Sequence, residues 1–210
     1  MGTHIGIVVD WYGPYKGIQE ARKSTKIDYE DGLYLFIGKQ KYKKSPSKLL
    51  YVGLSGYLHY RLTPQHPILP DISGEPIIWL GEIASYGIPG RASQNLLHLA
   101  EGATAYFLQL PLNTKKKYNP PNSPVTVVNR WWKRDYKTPR KQRPHADWPD
   151  MIDFAALEYG ARVGWLSYND RWLPKDFYPV SIASQKMRHA IAGGMFTATG
   201  AQPTGENLSY

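Results

Sequence analysis

Tyr34 and Tyr51 sit in two short apolar runs, Gly32-Leu33-Tyr34 and Leu49-Leu50-Tyr51-Val52-Gly53, and Arg61 follows ten residues after the second tyrosine. The loop between the runs carries Lys39, Lys41, Lys43, Lys44 and Lys48. Two phenols and a guanidinium beside a basic loop suit an anion, because arginine presents a planar fork of donors to phosphate. Glu101 poses a different question. Leu97, Leu99, Ala100, Ala103 and Ala105 surround it, so its helix is apolar nearly all round and expected to be buried. A carboxylate there requires a partner, a cation or water. Gly102 beside it costs about 1 kcal/mol of helix propensity relative to alanine, which points to a close backbone approach. Asn113 comes twelve residues after Glu101, just past the helix-stopping Pro111.

The elements that must position these groups can be read from periodicity. "HIGIVV" (4–9) is β-branched and reads as a strand, broken by "DWYGPY". "KGIQEARKST" suits a short helix. Residues 33–37 and 49–52 read as antiparallel neighbouring strands joined by a polar loop with Gly38 and Pro46. "SGYLHYRL" suits a helix entered from Ser55 as N-cap and ended by Pro64. A third strand is expected near 77–83. The longest helix is expected over 93–110, where Leu96, Leu99, Ala100, Ala103, Phe107 and Leu110 recur at helical spacing. "NPPNSP" (119–124) excludes regular structure, "VTVVNRWW" reads as a strand, and a helix is expected from about Asp150. The tail after Gly193 is small and polar and is expected to fray.

The charge is unevenly spread. Residues 1–114 carry 11 basic and 9 acidic residues, residues 144–210 carry 5 and 7, and residues 115–143 carry 10 basic residues against Asp135 alone. The whole net charge of +9 therefore equals that of one 29-residue stretch. A block concentrates charge in the way a polyanion requires, whereas a solubilising loop is the plainer explanation. Tyr118, Trp131, Trp132 and Tyr136 are interleaved with the cations, and that combination favours nucleic acid. The chain has no cysteine, which removes disulfides, thiolate metal sites and a cysteine nucleophile. No apolar run approaches a membrane span. No secretion signal is legible at the N-terminus, and a cytoplasmic protein is expected.

Taken together, these residues resemble the GIY-YIG nuclease superfamily, which includes restriction and homing endonucleases. Gly32-Leu33-Tyr34 stands for the first motif, Tyr51-Val52-Gly53 for the second, Arg61 for the arginine at the family's spacing, and Glu101 and Asn113 for the helix glutamate and the later asparagine. The resemblance covers roughly 31–114. It implies an α+β fold: a small GIY-YIG-like core with a central antiparallel or mixed sheet flanked by helices (β-β-α-β-α), preceded by a strand and helix. Residues 1–114 would form the core, and 115–210 a basic, aromatic-rich extension packed on it. It further implies metal-dependent hydrolysis of DNA phosphodiesters. Glu101 would hold Mg²⁺ or Mn²⁺, which take hard oxygen ligands. Arg61 would stabilise the phosphate charge, and Tyr34 would orient or deprotonate the attacking water. Tyr51 would position phosphate or water, and Asn113 would brace the site.

Each residue taken singly also has an ordinary explanation: strand tyrosines, a surface helix arginine, a glutamate paired with a lysine, a turn asparagine. The chain departs from the family's compact version in its longer lysine-bearing loop and in Leu54 after the second motif. Neither His59 nor His66 aligns cleanly with a family histidine, and His66 stands as an alternative water activator. DNA contacts are expected from Lys43, Lys44, Lys115, Lys116, Lys117, Arg130, Trp131, Trp132, Lys133, Arg134, Arg140, Lys141 and Arg143. Double-stranded DNA is the expected partner, cut by a sequence-specific enzyme that pairs as a homodimer or higher assembly. A repair or defence nuclease acting on structure or single strands is the alternative, as is an inactive nucleic-acid binder.

Overall fold

The computed structural model describes residues 4–28, 30–84, 92–156 and 160–165. Strand β1 spans Ile5–Lys16, twice the length expected. Its Gly13-Pro14 step lies where the pairing register shifts between Tyr12 and Tyr15, so the strand passes through an irregularity there and continues. Gly13 is required at that point, because a Cβ would come within 2.8 Å of the Trp79 ring. Helix α1 (Gly17–Asp28) follows, then β2 (Gly32–Gln40) and β3 (Lys48–Ser55), which pair antiparallel as expected. Helix α2 is only Leu58–Arg61; its N-cap is Tyr57, and Ser55 belongs to β3. A 3₁₀ turn (Leu69–Asp71) leads into β4 (Ile72–Ile83), and α3 covers Ala92–Phe107.

The chain then continues the same sheet. Strand β5 (Val125–Trp132) lies parallel to β1, β6 (Met151–Ala156) pairs antiparallel with β5, and β7 (Gly160–Gly164) with β6. The result is one seven-stranded mixed sheet in the order β3-β2-β4-β1-β5-β6-β7. This corrects the expected fold class. The molecule is not a small GIY-YIG-like core flanked by helices and carrying a basic extension; among the described residues, strand outweighs helix. The physical reason is that β1 offers both of its edges for pairing, and β5 uses the one that β4 leaves open. The helix expected from about Asp150 is likewise β6 and β7, because the ladders of β6 with β5 and of β7 with β6 override helix propensity.

Both faces of the sheet are covered, which is why Leu33–Ile37 is buried without alternation. One face packs Val9, Trp11, Leu35 and Trp79 under Leu97, Ala100, Ala103 and Phe107 of α3. The other packs Tyr12, Tyr34, Phe36 and Leu80 with Ile18 and Ala21 of α1 and with Leu58 and Leu62 at α2. No helix among the described residues is long and apolar enough to cross a membrane. The tail after Gly193 lies outside the described residues.

Candidate active site

Cross-strand register places the two tyrosines. Tyr34 pairs with Gly53 and Phe36 with Tyr51, so Tyr34 and Tyr51 are diagonal neighbours on one face. Leu50 is the extra residue of a bulge between the Phe36–Tyr51 and Ile37–Leu49 pairs. Both glycines of the tripeptides have a steric cause. A Cβ at Gly53 would lie 2.5 Å from Cζ and Oη of Tyr34, and one at Gly32 would lie 2.7 Å from the Gly81 carbonyl oxygen. Gly53 is thus the floor on which the Tyr34 ring rests.

Arg61 approaches from α2, and its Nε donates to Tyr34 Oη at 3.0 Å. His66 arrives from the turn after Pro64, with Nε2 3.0 Å from the same oxygen. The Ile68 N–H donates to His66 Nδ1 at 3.5 Å, so the network assigns the ring proton to Nε2 and makes it a second donor to Tyr34. Tyr34, Tyr51 and His66 stand with ring centroids 5.5 to 5.9 Å apart, and the Tyr51 hydroxyl interacts with both Tyr34 and Arg61. The electrostatics follow from burial. Desolvation, then Tyr51, raise the Tyr34 phenol well above its ordinary value, and Arg61 offsets this only in part. The bond to Tyr34 holds Arg61 more firmly protonated. Burial, then the Arg61 charge, push His66 down to about 4, so its imidazole is neutral at physiological pH.

Asn113 lies at the outer edge of β3. Its Oδ1 accepts from Val52 N at 2.9 Å and its Nδ2 donates to Val52 O at 2.7 Å. Leu112 N–H donates to Leu50 O at 2.9 Å. The asparagine amide therefore acts as a further β-partner beside Tyr51, closing an edge that would otherwise be open. Glu101 is 8% exposed and paired with the Lys116 ammonium, which is 3.4 Å from His98 Nδ1. Its helix covers the face opposite to Tyr34, and no described contact joins Glu101 to the two phenols or to Arg61. The structure thus gathers Tyr34, Tyr51 and Arg61, braces them through Asn113, and holds Glu101 apart on Lys116. His66 enters the centre of the cluster, which its place between Pro64 and Pro67 hints at only as a fixed turn.

Among the described residues no group of three or more His, Cys, Asp or Glu side chains could hold a metal ion. A single carboxylate, nearly buried and already neutralised by a cation, still fits a hydrated Mg²⁺ or Mn²⁺, which takes most of its ligands from water and phosphate. Asn113 is committed to Val52 and is not available as a ligand.

The basic block divides in two. Arg130 forms a two-pronged pair with Asp10 at 2.6 Å, and Trp132 Nε1 donates to the same carboxylate at 2.8 Å. Arg143 donates to Asp150 at 2.9 Å. The Arg140 guanidinium lies 5.3 Å from the Trp79 ring centre, and Trp131 is 1% exposed. These groups build the protein. Lys115, Lys133, Lys137 and Lys141 are exposed, as are Lys43 and Lys44, while Lys117 lies over the Tyr118 ring and Arg134, also exposed, pairs with Glu20 and lies over the Tyr15 ring. Lys133 and Lys137 flank a tight turn held by Asp135, whose carboxylate accepts from Lys137 N, Thr138 N and Thr138 Oγ. Those bonds, Thr138 first, pull Asp135 down to about 2. Sequence reasoning missed the hydroxyl cluster that docks this turn, in which Tyr136 meets Tyr15 and Ser24 at 3.2 Å each. No family model, curated protein or solved structure matches the chain.

Proposed function

We propose that the chain is a divalent-metal-dependent endonuclease of the GIY-YIG kind that hydrolyses DNA phosphodiester bonds. The observation that carries this reading is the convergence of Arg61 and two phenols on one rigid sheet face, with Asn113 locking the backbone beside the second phenol.

Arg61 is the phosphate-binding group. Its Nε is spent on Tyr34, which fixes the guanidinium plane, and the remaining donors suit two phosphate oxygens in the bidentate manner. Both lone-pair directions of Tyr34 Oη are used by Arg61 and His66, and burial keeps its proton on. Tyr34 therefore acts as a positioner, and its own O–H is directed at the Tyr51 hydroxyl. Tyr51 is only partly buried and supplies the more accessible hydroxyl. A divalent ion, when bound, would neutralise the phosphate and stabilise the leaving oxygen. Glu101 is the residue proposed to hold it; its helix covers the sheet face opposite to Tyr34, so besides Lys116 giving way the ion would have to bridge to the phosphate through its own waters. The exposed cations of the 133–137 turn and of the 115–117 run would carry the DNA backbone.

A second reading, a nucleic-acid binder without catalysis, is favoured by one observation: Glu101 is occupied by Lys116. Incubation of supercoiled plasmid with Mg²⁺ separates the two. The nuclease reading expects nicked or linear product, reduced about 10²–10³-fold by Arg61→Ala, the cost of removing one donor to developing charge, and lost in Glu101→Ala. Discrete bands mark sequence-specific cutting of the restriction or mobile-element type, and a smear marks a nonspecific nuclease. Plasmid left intact under DNA-saturating conditions removes the nuclease and leaves the binder. Cutting both strands with a single site favours a homodimer, which sedimentation with and without DNA would reveal.

A further inference from the structure

Helix α2 carries more than Arg61. Four residues cannot sustain a helix unaided, yet this one is tied down at every turn. Leu58 and Leu62 are fully buried, and the Leu58 N–H donates to Glu30 O at 2.9 Å. His59 Nδ1 donates to the Arg22 carbonyl while Arg22 Nε donates to the His59 carbonyl, both at 3.2 Å. On this anchored turn Tyr57 and Tyr60 stand 68% and 76% exposed, although phenol rings bring most of their gain from burial. Their centroids are 6.4 Å apart with planes at 68°, and the His59 ring stands edge-to-face with Tyr60 at 5.6 Å, so most of each phenol surface stays open to solvent. Tyr60 immediately precedes the phosphate-binding arginine.

We infer that Tyr57 and Tyr60 are a stacking platform for unpaired nucleobases next to the scissile phosphate, so that the substrate is single-stranded or locally opened DNA. The inference rests on the endonuclease reading and narrows its substrate. Charge and ring placement argue for this occupant. Regular duplex presents its phosphates outward and its base faces only to one another, so it is met by cations. This helix face offers two rings beside its one arginine, whose Nε bonds Tyr34 and whose remaining donors suit phosphate. Exposed bases need an aromatic face beside a cation. The same pairing recurs at Tyr42, with the Lys41 ammonium 5.2 Å from its ring centre, and at Tyr118 with Lys117 at 5.2 Å. Rigid anchoring of α2 means that little conformational freedom is lost when a base docks.

The test uses the full chain in EDTA, so that binding is read without cleavage. The probe is a short fluorescein-labelled DNA oligonucleotide with internal 2-aminopurine, offered as a single strand and as its blunt duplex. Wild type is expected to prefer the single strand and to change the 2-aminopurine emission on binding. The Tyr57→Ala/Tyr60→Ala double variant should bind the single strand about ten- to a hundredfold more weakly and lose the emission change. Tyr57→Phe/Tyr60→Phe, which keeps the rings, should retain both, and duplex binding should move by less than about threefold. Equal single-strand binding by wild type and the alanine pair overturns the platform and leaves the nuclease reading standing. So does an equal loss on single strand and duplex. Absence of wild-type binding to either DNA removes the nuclease reading together with the platform.

Discussion

His66 illustrates how much a single side chain's surroundings matter. Ringed by Tyr34, Phe36 and Tyr51, it is held neutral down to about pH 4 by burial and by Arg61. An unfolded histidine titrates near 6.5. Below that pH the unfolded chain takes up a proton that the folded chain refuses, so folding stability is full above about 6.5 and falls as pH drops from there towards 4. The expected result is a urea midpoint that declines over this window in wild type and less steeply in His66→Gln, with an imidazole NMR signal that shifts only near pH 4. A midpoint flat to pH 4.5 would remove the buried neutral histidine. Lys116 gives a second residue-scale test. It neutralises a nearly buried carboxylate, and the same carboxylate is the proposed metal ligand. Lys116→Met should tighten Mn²⁺ binding by the metal-free chain several-fold, as read by paramagnetic broadening of water or by calorimetry. Unchanged affinity would show that lysine and metal do not share Glu101. Sequence alone marked Glu101 as needing a partner, a cation or water; which of these holds it depends on where Lys116 folds back, and no local pattern encodes that.

Elements were legible where hydrophobic period and breakers agreed. The Leu33–Ile37 and Leu49–Val52 runs and the long apolar helix all form. The failures share a cause, which is tertiary hydrogen bonding that local propensity cannot see. Met151–Ala156 contains good helix formers, yet pairing with β5 makes it a strand. The Leu50 bulge, which decides where Tyr51 sits relative to Phe36, has no signature in its own residue types. Asn113 reads as a turn residue until its amide is seen bridging Val52. That bridge supports a prediction. Asn113→Ala leaves a buried N–H and C=O of β3 unpaired, at a cost of about 1–3 kcal/mol, to be measured by urea unfolding. Cleavage should fall alongside, because Tyr51 neighbours the released backbone. Gly53→Ala should act more locally, driving a methyl into the Tyr34 ring and weakening the Tyr34–Arg61 bond. Its signature is a larger loss of cleavage than Asn113→Ala at equal stability, and cleavage tracking stability in both would deny the Tyr34 ring a positioning role.

At the scale of the whole molecule the sheet, covered on both faces, recruits charge for its own construction. The 115–143 block contributes ten cations to the formal charge, but Lys116, Arg130, Arg134 and Arg143 sit in ion pairs with carboxylates, and Arg140 packs on Trp79. At most five of the ten are left to meet phosphates. Composition could show the block but not this division, because Asp10, Asp150 and Glu101 lie outside the block and join it only in the folded chain. Salt dependence of DNA binding distinguishes the two populations. Each phosphate contact contributes about 0.9 to the slope of log affinity against log salt on duplex and about 0.7 on single strands. Lys133→Gln with Lys137→Gln, on the exposed turn held by Asp135, should flatten that slope by up to about 2 and leave the urea midpoint where it was. Arg130→Gln should do the reverse. It strands the Asp10 carboxylate with only the Trp132 N–H, at a cost of about 2–4 kcal/mol in stability, while the salt slope of the protein that remains folded is unchanged. If Arg130→Gln flattens the slope as much as the lysine pair does, Arg130 reaches DNA despite Asp10, and the division of the basic block into building and binding cations fails.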